Sequence, residues 1–275
     1  MKIVTFSLAG GKPRPGALVG ESVVDLSRAG VESVLELIRH GLEGIDDSPA
    51  FPSAEAEILA PIAHPPRVFC IGLNYRDHAI ESGMQIPAVP TVFLKLASAI
   101  VGPGAPIVLP KNSTQVDYEA EFAVVMGKGG FRIAADDWRE HVFGYTILND
   151  VSARDVQLAT SQWILGKSFP TFCPIGPAIV TADEIPDPHA LDIRLEIDGM
   201  EMQHSNTREL IFRVPQLIEH ISSITPLEPG DVISTGTPQG VGLGRKPQRW
   251  LEPGETISIE ITGLGKLVNP TVAET

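Results

Sequence analysis

Cysteine is nearly missing from this chain: Cys70 and Cys173 are the only two among 275 residues. Two thiols cannot build the disulfide framework of a small secreted domain. Each sits among apolar neighbours, as reduced core thiols do. Aromatic residues are scarce, at 6%. No apolar run approaches the roughly 18 residues that cross a bilayer, so no membrane-spanning helix is expected. The first residues, Met1-Lys2-Ile3-Val4-Thr5-Phe6-Ser7, read as a strand and lack the longer apolar run and cleavage site of a signal peptide. A cytoplasmic location is the expectation. Positive charge is short as well: 21 Lys and Arg against 34 Asp and Glu, a net −13. That argues against nucleic acid as a partner, because phosphate binding needs clustered Lys and Arg. It leaves an anionic small molecule open, since a metal ion and a few cations can reverse the local field.

Glycine (26) and proline (24) are abundant, and 43% of residues are apolar. The length suits one large domain, or one domain plus a small unit, with a sizeable core. Residues 2–7, 17–19 and 22–26 read as short strands. Val31, Val34, Leu35 and Ile38 recur at helical spacing and mark a helix ending near Gly41. Residues 42–66, rich in proline and aspartate, read as a linker. The expected organisation is therefore a small N-terminal α/β unit over 1–60 and a main domain over 66–272.

In the main domain, strands are expected at 67–71, 91–96, 118–126, 143–149, 177–181 and 191–198. A loop or short helix is expected at 74–82 and a helix at 151–164. Pro215 suits a first helical position, with Leu217, Ile218, Ile221 and Ile224 as one apolar face. Leu227-Glu228-Pro229-Gly230-Asp231 is echoed by Leu251-Glu252-Pro253-Gly254-Glu255, and Pro-Gly fits the centre of a type II turn. Strands and helices do not alternate regularly, which argues against a doubly wound sheet. The fold class is α+β, predominantly β.

Chemistry concentrates in Val116-Asp117-Tyr118-Glu119-Ala120-Glu121-Phe122. Side chains alternate along a strand, so Glu119 and Glu121 share a face. Asp150 ends the apolar run Tyr145-Thr146-Ile147-Leu148-Asn149. If the two strands are neighbours, three carboxylates converge. Two like charges about 4 Å apart repel by ~4 kcal/mol at an effective dielectric of 20, so a half-buried trio requires a counter-ion. All-oxygen ligands favour Mg²⁺ or Mn²⁺. The same Glu-x-Glu spacing also fits a strand with one wet face.

Asn74-Tyr75-Arg76-Asp77-His78-Ala79-Ile80-Glu81 is dense in polar groups. In a helical turn His78 and Glu81 share a face, and a carboxylate bonded to a histidine raises its basicity. An ordinary solvated helix start would look the same. Gly83 and Pro87 follow, which suits a movable lid. Lys167, isolated among apolar and small residues, either faces a pocket as an oxyanion partner or lies at the surface. Gln157 reaches the Asp150 pocket if 151–164 is helical. Gly236-Thr237-Pro238-Gln239-Gly240-Val241-Gly242 is neither a Walker loop nor a Rossmann fingerprint. It is either a tight turn or a loop whose amides and Thr237 hydroxyl approach an anion.

In their order these segments resemble the fumarylacetoacetate hydrolase family over about residues 66–272. The motifs are Gly72-Leu73-Asn74-Tyr75-Arg76-Asp77-His78, Asp117-Tyr118-Glu119-Ala120-Glu121, Asn149-Asp150-Val151-Ser152-Ala153-Arg154-Asp155, Gly166-Lys167-Ser168-Phe169 and Gly230-Asp231-Val232-Ile233-Ser234-Thr235-Gly236-Thr237-Pro238. Leu96 departs from the family's common proline. The resemblance implies a mixed β-roll catalytic domain, a homodimer, and a Mg²⁺ or Mn²⁺ held by Glu119, Glu121 and Asp150. It implies that His78 and Glu81 form a lid-borne pair that activates water, with Lys167 as the third catalytic residue. Arg76, Gln157 and Thr237 are its substrate-binding candidates. The leading expectation is hydrolysis of the C–C bond of a 2,4-dioxo acid, such as an acylpyruvate, fumarylpyruvate or a 2,4-dioxo-3-deoxy sugar acid, releasing pyruvate. Oxaloacetate decarboxylation or 2-hydroxyhepta-2,4-diene-1,7-dioate isomerisation is the alternative.

Overall fold

The structure, a computed structural model, describes residues 1–27, 30–41 and 49–275. Strands β1 (Lys2–Leu8), β2 (Arg14–Val19) and β3 (Ser22–Asp25) form an antiparallel meander. Helix α1 (Val34–His40) follows. Ser33 caps it by accepting the Glu36 N–H, and Gly41 ends it at φ 89°, a conformation that costs glycine no Cβ clash. The expected linker is partly regular: β4 (Ala50–Pro52) joins β3 and β5 (Ala56–Leu59) joins β1. Its residues 42–48 lie outside the described residues. The proline-rich composition hid these strands, whose partners lie far along the chain.

The remaining elements are β6 (Val68–Gly72), α2 (Arg76–Ser82), β7 (Thr91–Lys95), β8 (Ile100–Val101), β9 (Ile107–Leu109), β10 (Val116–Asp117) and β11 (Ala120–Met126). Then come α3 (Trp138–His141), β12 (Val142–Asn149), β13 (Ser152–Ala153), α4 (Arg154–Gln157), α5 (Ile164–Lys167) and β14 (Cys173–Thr181). The chain closes with β15 (Asp192–Ile197), β16 (Met200–Asn206), α6 (Val214–Ser222), β17 (Val232–Ser234), β18 (Thr256–Ile261) and β19 (Gly265–Ala273).

The expected helix over 151–164 is not formed. A two-residue strand and two single-turn helices replace it, with Thr160 and Gln162 bonded in a turn between them. In α6, Pro215 takes the second helical position, after Val214. Leu217, Ile218 and Ile221 are buried as expected, but Ile224 lies beyond the helix and is exposed. The first Pro-Gly turn has the expected geometry: Gly230 at φ 90° and the Asp231 N–H bonded to the Glu228 carbonyl. Both turns add the same lock. The acid at the fourth position accepts the N–H of the first, and an arginine, Arg67 or Arg249, pairs with that acid.

The fold is predominantly β, with a mixed sheet as expected. One large sheet runs β4-β3-β2-β1-β14-β12-β11-β17-β6-β7, with β6–β17 parallel. A five-stranded sheet, β16-β15-β18-β19-β9, packs on β11, β12 and β14, and their side chains share one core. Strand β11 lies near the middle of the large sheet and is buried along its whole length. That burial explains its nearly unbroken apolar sequence and makes Glu121 costly unless it is compensated. The N-terminal meander is continuous with the large sheet, because Lys2 and Ile3 of β1 pair with Val180 and Ile179 of β14.

Candidate active site

Glu119 is not in a strand, contrary to the alternation argument. The chain breaks between β10 and β11, and Glu119 stands one residue before β11. Convergence survives through pairing across to β12. Ala120 faces Asn149, whose side-chain oxygen accepts the Glu119 N–H, and the Asp150 N–H bonds the Glu119 carbonyl. These contacts fix Glu119 and Asp150 at adjoining strand ends. One oxygen from each of Glu119, Glu121 and Asp150 lies within 4.8 Å of the others, and all three residues are buried.

Around this trio, four buried carboxylates meet three buried cations. Lys167 Nζ lies 2.8 Å from both Glu119 and Asp150. Lys95 Nζ lies 2.6 Å from Asp150. Arg154 forks between Glu119 at 2.6 Å and Asp117 at 2.8 Å. Burial pushes the Glu119 carboxyl up, but Lys167 and Arg154 outweigh it and hold the group at about 2. Burial opposes the charge on Lys167 too, yet Asp150 and Glu119 raise its pKa above the ordinary lysine value.

Glu121 differs. Its partners are neutral: the Ser234 hydroxyl and the Gly236 N–H. Burial, then the charges of Asp150 and Glu119, drive its carboxyl well above the usual range. A buried acid trio with one uncompensated member is an electrostatic slot for a cation. Its donors are all oxygen, which suits Mg²⁺ or Mn²⁺. The donor set therefore fits the metal that the sequence suggested.

The trio borders a cleft through Glu119 and Glu121. His78, Glu81, Gln157, Lys167 and Thr237 line it together with Glu119 and Glu121. Asn74 seats the start of α2, bonding the carbonyls of Phe212 and Thr235 and the Phe212 N–H. His78 Nδ1 then lies 3.0 Å from Glu81 Oε2. The Glu81 pKa is lowered: burial raises it, and the His78 contact and the Gly240 N–H overcome that. An ionised Glu81 accepts the Nδ1 proton and leaves Nε2 as the basic nitrogen. Gly244 makes room, since a Cβ there would stand 2.8 Å from the Glu81 carboxyl carbon.

The other candidates behave differently. Gln157 accepts from Arg154 through Oε1, which leaves its NH₂ group as donor. The packing of α4 against α5 depends on Gly166, where a Cβ would fall 2.4 Å from the Gln157 backbone nitrogen. The Thr237 hydroxyl donates to the Ala120 carbonyl and accepts from Gln203, so it braces the loop. Arg76 is not among the cleft-lining residues. It is exposed and donates to the Leu210 carbonyl at 3.0 Å. Sequence reasoning missed Lys95, Arg154 and Asp117. The signal for Lys95 was present, because it is a lone cation in an apolar strand, like Lys167 among its apolar neighbours. The cleft also has an apolar lining, with Phe93, Leu158, Trp163 and Leu243. Trp163 lies edge-on to Phe93 and against Gly72, where a Cβ would collide with the ring.

Among the described residues no helix is long and apolar enough to cross a membrane. A family model described as fumarylacetoacetate (FAA) hydrolase C-terminal matches residues 67–272. The bovine mitochondrial oxaloacetate tautomerase FAHD2A is 46% identical over 243 residues, covering 88% of this chain and 77% of that protein. The fumarylacetoacetate hydrolase of psychrophilic Exiguobacterium antarcticum superposes with a TM-score of 0.90 at 37% identity, each chain covered fully. Maleylpyruvate hydrolase from Sphingobium sp. SYK-6, solved with manganese(II) ion and pyruvate, gives 0.85 at 31% identity, again over the full length of both chains. Since the family model spans most of the sequence and the bovine enzyme aligns along 88% of it, the chain belongs to the fumarylacetoacetate hydrolase family.

Proposed function

We propose that this enzyme moves a proton at C3 of a small 2-oxo acid, interconverting its keto and enol forms, with oxaloacetate as the leading substrate. One observation carries the reading: the His78–Glu81 pair opens onto the same cleft as Glu119 and Glu121, two members of the carboxylate trio. No Ser or Cys lines that cleft among the described residues. Its lysine is held charged by Asp150 and Glu119 and is no nucleophile. The activity named for the bovine relative supports oxaloacetate. A divalent cation bound by Glu119, Glu121 and Asp150 supplies Lewis-acid polarisation of a 2-oxo group.

The protein's own groups do the rest. Glu81 holds His78 so that Nε2 takes the C3 proton from the keto form and delivers it to the C2 oxygen, and carries it the other way from the enol form. Gln157 offers its NH₂ group to a substrate oxygen. Lys95 and Lys167 keep Asp150 and Glu119 in place as ligands. Phe93 and Trp163 exclude water, which strengthens every polar contact inside.

Hydrolysis of a 2,4-dioxo acid is the second reading. There the same histidine activates water toward the C4 carbonyl, and the Sphingobium hydrolase supports it. Incubation with oxaloacetate and with acylpyruvates in Mn²⁺, following enol absorbance and product composition, separates the two. Acceleration of enol–keto exchange without carbon–carbon cleavage supports the first, and pyruvate release from the acylpyruvates supports the second. His78→Ala is expected to lower turnover by about 10²–10⁴-fold while Mn²⁺ binding persists. Full activity in that variant would remove the proton-transfer role.

A further inference from the structure

Asp117 does not line the cleft, yet its fully buried carboxylate accepts four hydrogen bonds and makes a further ion-pair contact. Arg154 donates through Nε at 2.9 Å, and its Nη2 lies in ion-pair contact at 2.8 Å. The backbone N–H groups of Tyr118, Gly242 and Leu243 donate at 2.9, 2.7 and 3.0 Å. These donors belong to two different machines. Arg154 also grips Glu119 at 2.6 Å, so one arm ends at a metal-ligating carboxylate. Gly242 and Leu243 belong to the loop that seats the proton-transfer pair. In that loop the Gly240 N–H bonds Glu81 at 2.9 Å, and Gly244 leaves space for the Glu81 carboxyl.

A second strap runs alongside. The Tyr118 hydroxyl donates to the Gly240 carbonyl at 3.1 Å, and Arg245 donates to both. Gly242 is required at the junction, since a Cβ there would lie 1.8 Å from the Arg249 carbonyl oxygen and 2.7 Å from Asp117.

We propose that Asp117 is a positioning residue that holds the seat of the His78–Glu81 pair in register with the metal-ligand cluster. The assignment rests on the proton-transfer reading of that pair only for its effect on rate. A carboxylate is required, because every group around it is a donor. An asparagine would turn its own NH₂ toward at least one of them. The energetic logic is that of an outer partner that orients ligands, where loss costs about 10–100-fold in affinity or activity.

Three measurements on Asp117→Asn test it. Mn²⁺ affinity, read by paramagnetic resonance titration, falls about 10–100-fold. Amide exchange in α2 and across 240–244 speeds up, while β11 and β12 keep their protection. At saturating Mn²⁺ the Asp117→Asn/Glu81→Gln double variant turns over no more slowly than Glu81→Gln alone, because the remaining effect of both runs through one seat. Tyr118→Phe cuts only the second strap. It loosens α2 in the exchange experiment, leaves Mn²⁺ affinity unchanged, and carries the test if Asp117→Asn fails to fold. Unchanged α2 exchange in both variants would overturn the proposal, as would multiplying rate losses in the double variant. The exchange and Mn²⁺ readings involve no turnover, so they stand even if His78→Ala proves fully active.

Discussion

Glu121→Gln should stabilise the metal-free protein and abolish its response to metal. The reasoning starts from the two donors on Glu121, the Ser234 hydroxyl and the Gly236 N–H, which both reach Oε2. A glutamine carbonyl oxygen satisfies both and turns its NH₂ toward Glu119 and Asp150, where acceptors abound. It also removes a charge that burial and two neighbouring carboxylates oppose. A carboxyl whose folded pKa is raised destabilises the fold increasingly as pH climbs above its ordinary value of 4.5. At pH 7 and ~1.4 kcal/mol per pH unit, the penalty is at most about 3.5 kcal/mol. With ~2–4 °C per kcal/mol for a chain of this size, metal-free Glu121→Gln melts several degrees above wild type at pH 7. The gap closes toward pH 4.5. In saturating Mn²⁺ the order reverses, because only wild type gains stability by binding. Differential scanning calorimetry in EDTA and in Mn²⁺ gives all four values. A metal-free variant that melts lower than wild type would refute the idea of an uncompensated Glu121.

Other outcomes follow from the same geometry. Lys95→Met leaves Asp150 with one cation instead of two and should cost about 3–5 kcal/mol, partly recovered by Mn²⁺; urea denaturation with and without metal measures it. Gly166→Ala forces a Cβ to within 2.4 Å of the Gln157 nitrogen, so it should separate α4 from α5 and depress turnover at least tenfold, on the order expected for misplaced catalytic groups, read by steady-state kinetics. His189 Nε2 accepts the Val214 N–H at the start of α6, and burial, then Arg213, lowers its pKa below 6.5. Its contribution is therefore complete above pH 6.5 and is lost as pH falls below that value. His189→Asn should flatten the melting temperature between pH 7 and pH 5, and an unchanged slope would assign the acid sensitivity elsewhere.

Periodicity and turn chemistry made much of this fold legible. β1, β6, β11 and β12 show as apolar runs, Gly41 marks the end of α1, and the Pro-Gly turn at 228–231 forms as its sequence demands. The carboxylate trio was also visible, although by a wrong route for Glu119, which reaches the cluster by pairing across to Asn149 and not by strand alternation. What stayed hidden depends on contacts distant in sequence. Arg154 finds Asp117 and Glu119 across a β10–β13 pairing with no local mark. Lys95 meets Asp150 from a strand on the far side of β17 and β6. The segment 151–164 failed as a helix because Gln157 is pressed against Gly166, which requires the chain to double back. Arg76 was a substrate-binding candidate by resemblance, and in α2 it is exposed and bonded to the Leu210 carbonyl.

The pairing of β1 with β14 has a consequence for how this enzyme can be dissected. A fragment cut at residue 66 would leave the rim of β14 unguarded beside Val180 and Ile179. It would also lose Ile3, Val4 and Phe6, each wholly buried and each contributing about 1.5–3 kcal/mol. Bare rims of this sort recruit other chains. The amino-terminal meander thus doubles as a selvedge, keeping the woven edge behind the chemistry from fraying into aggregates.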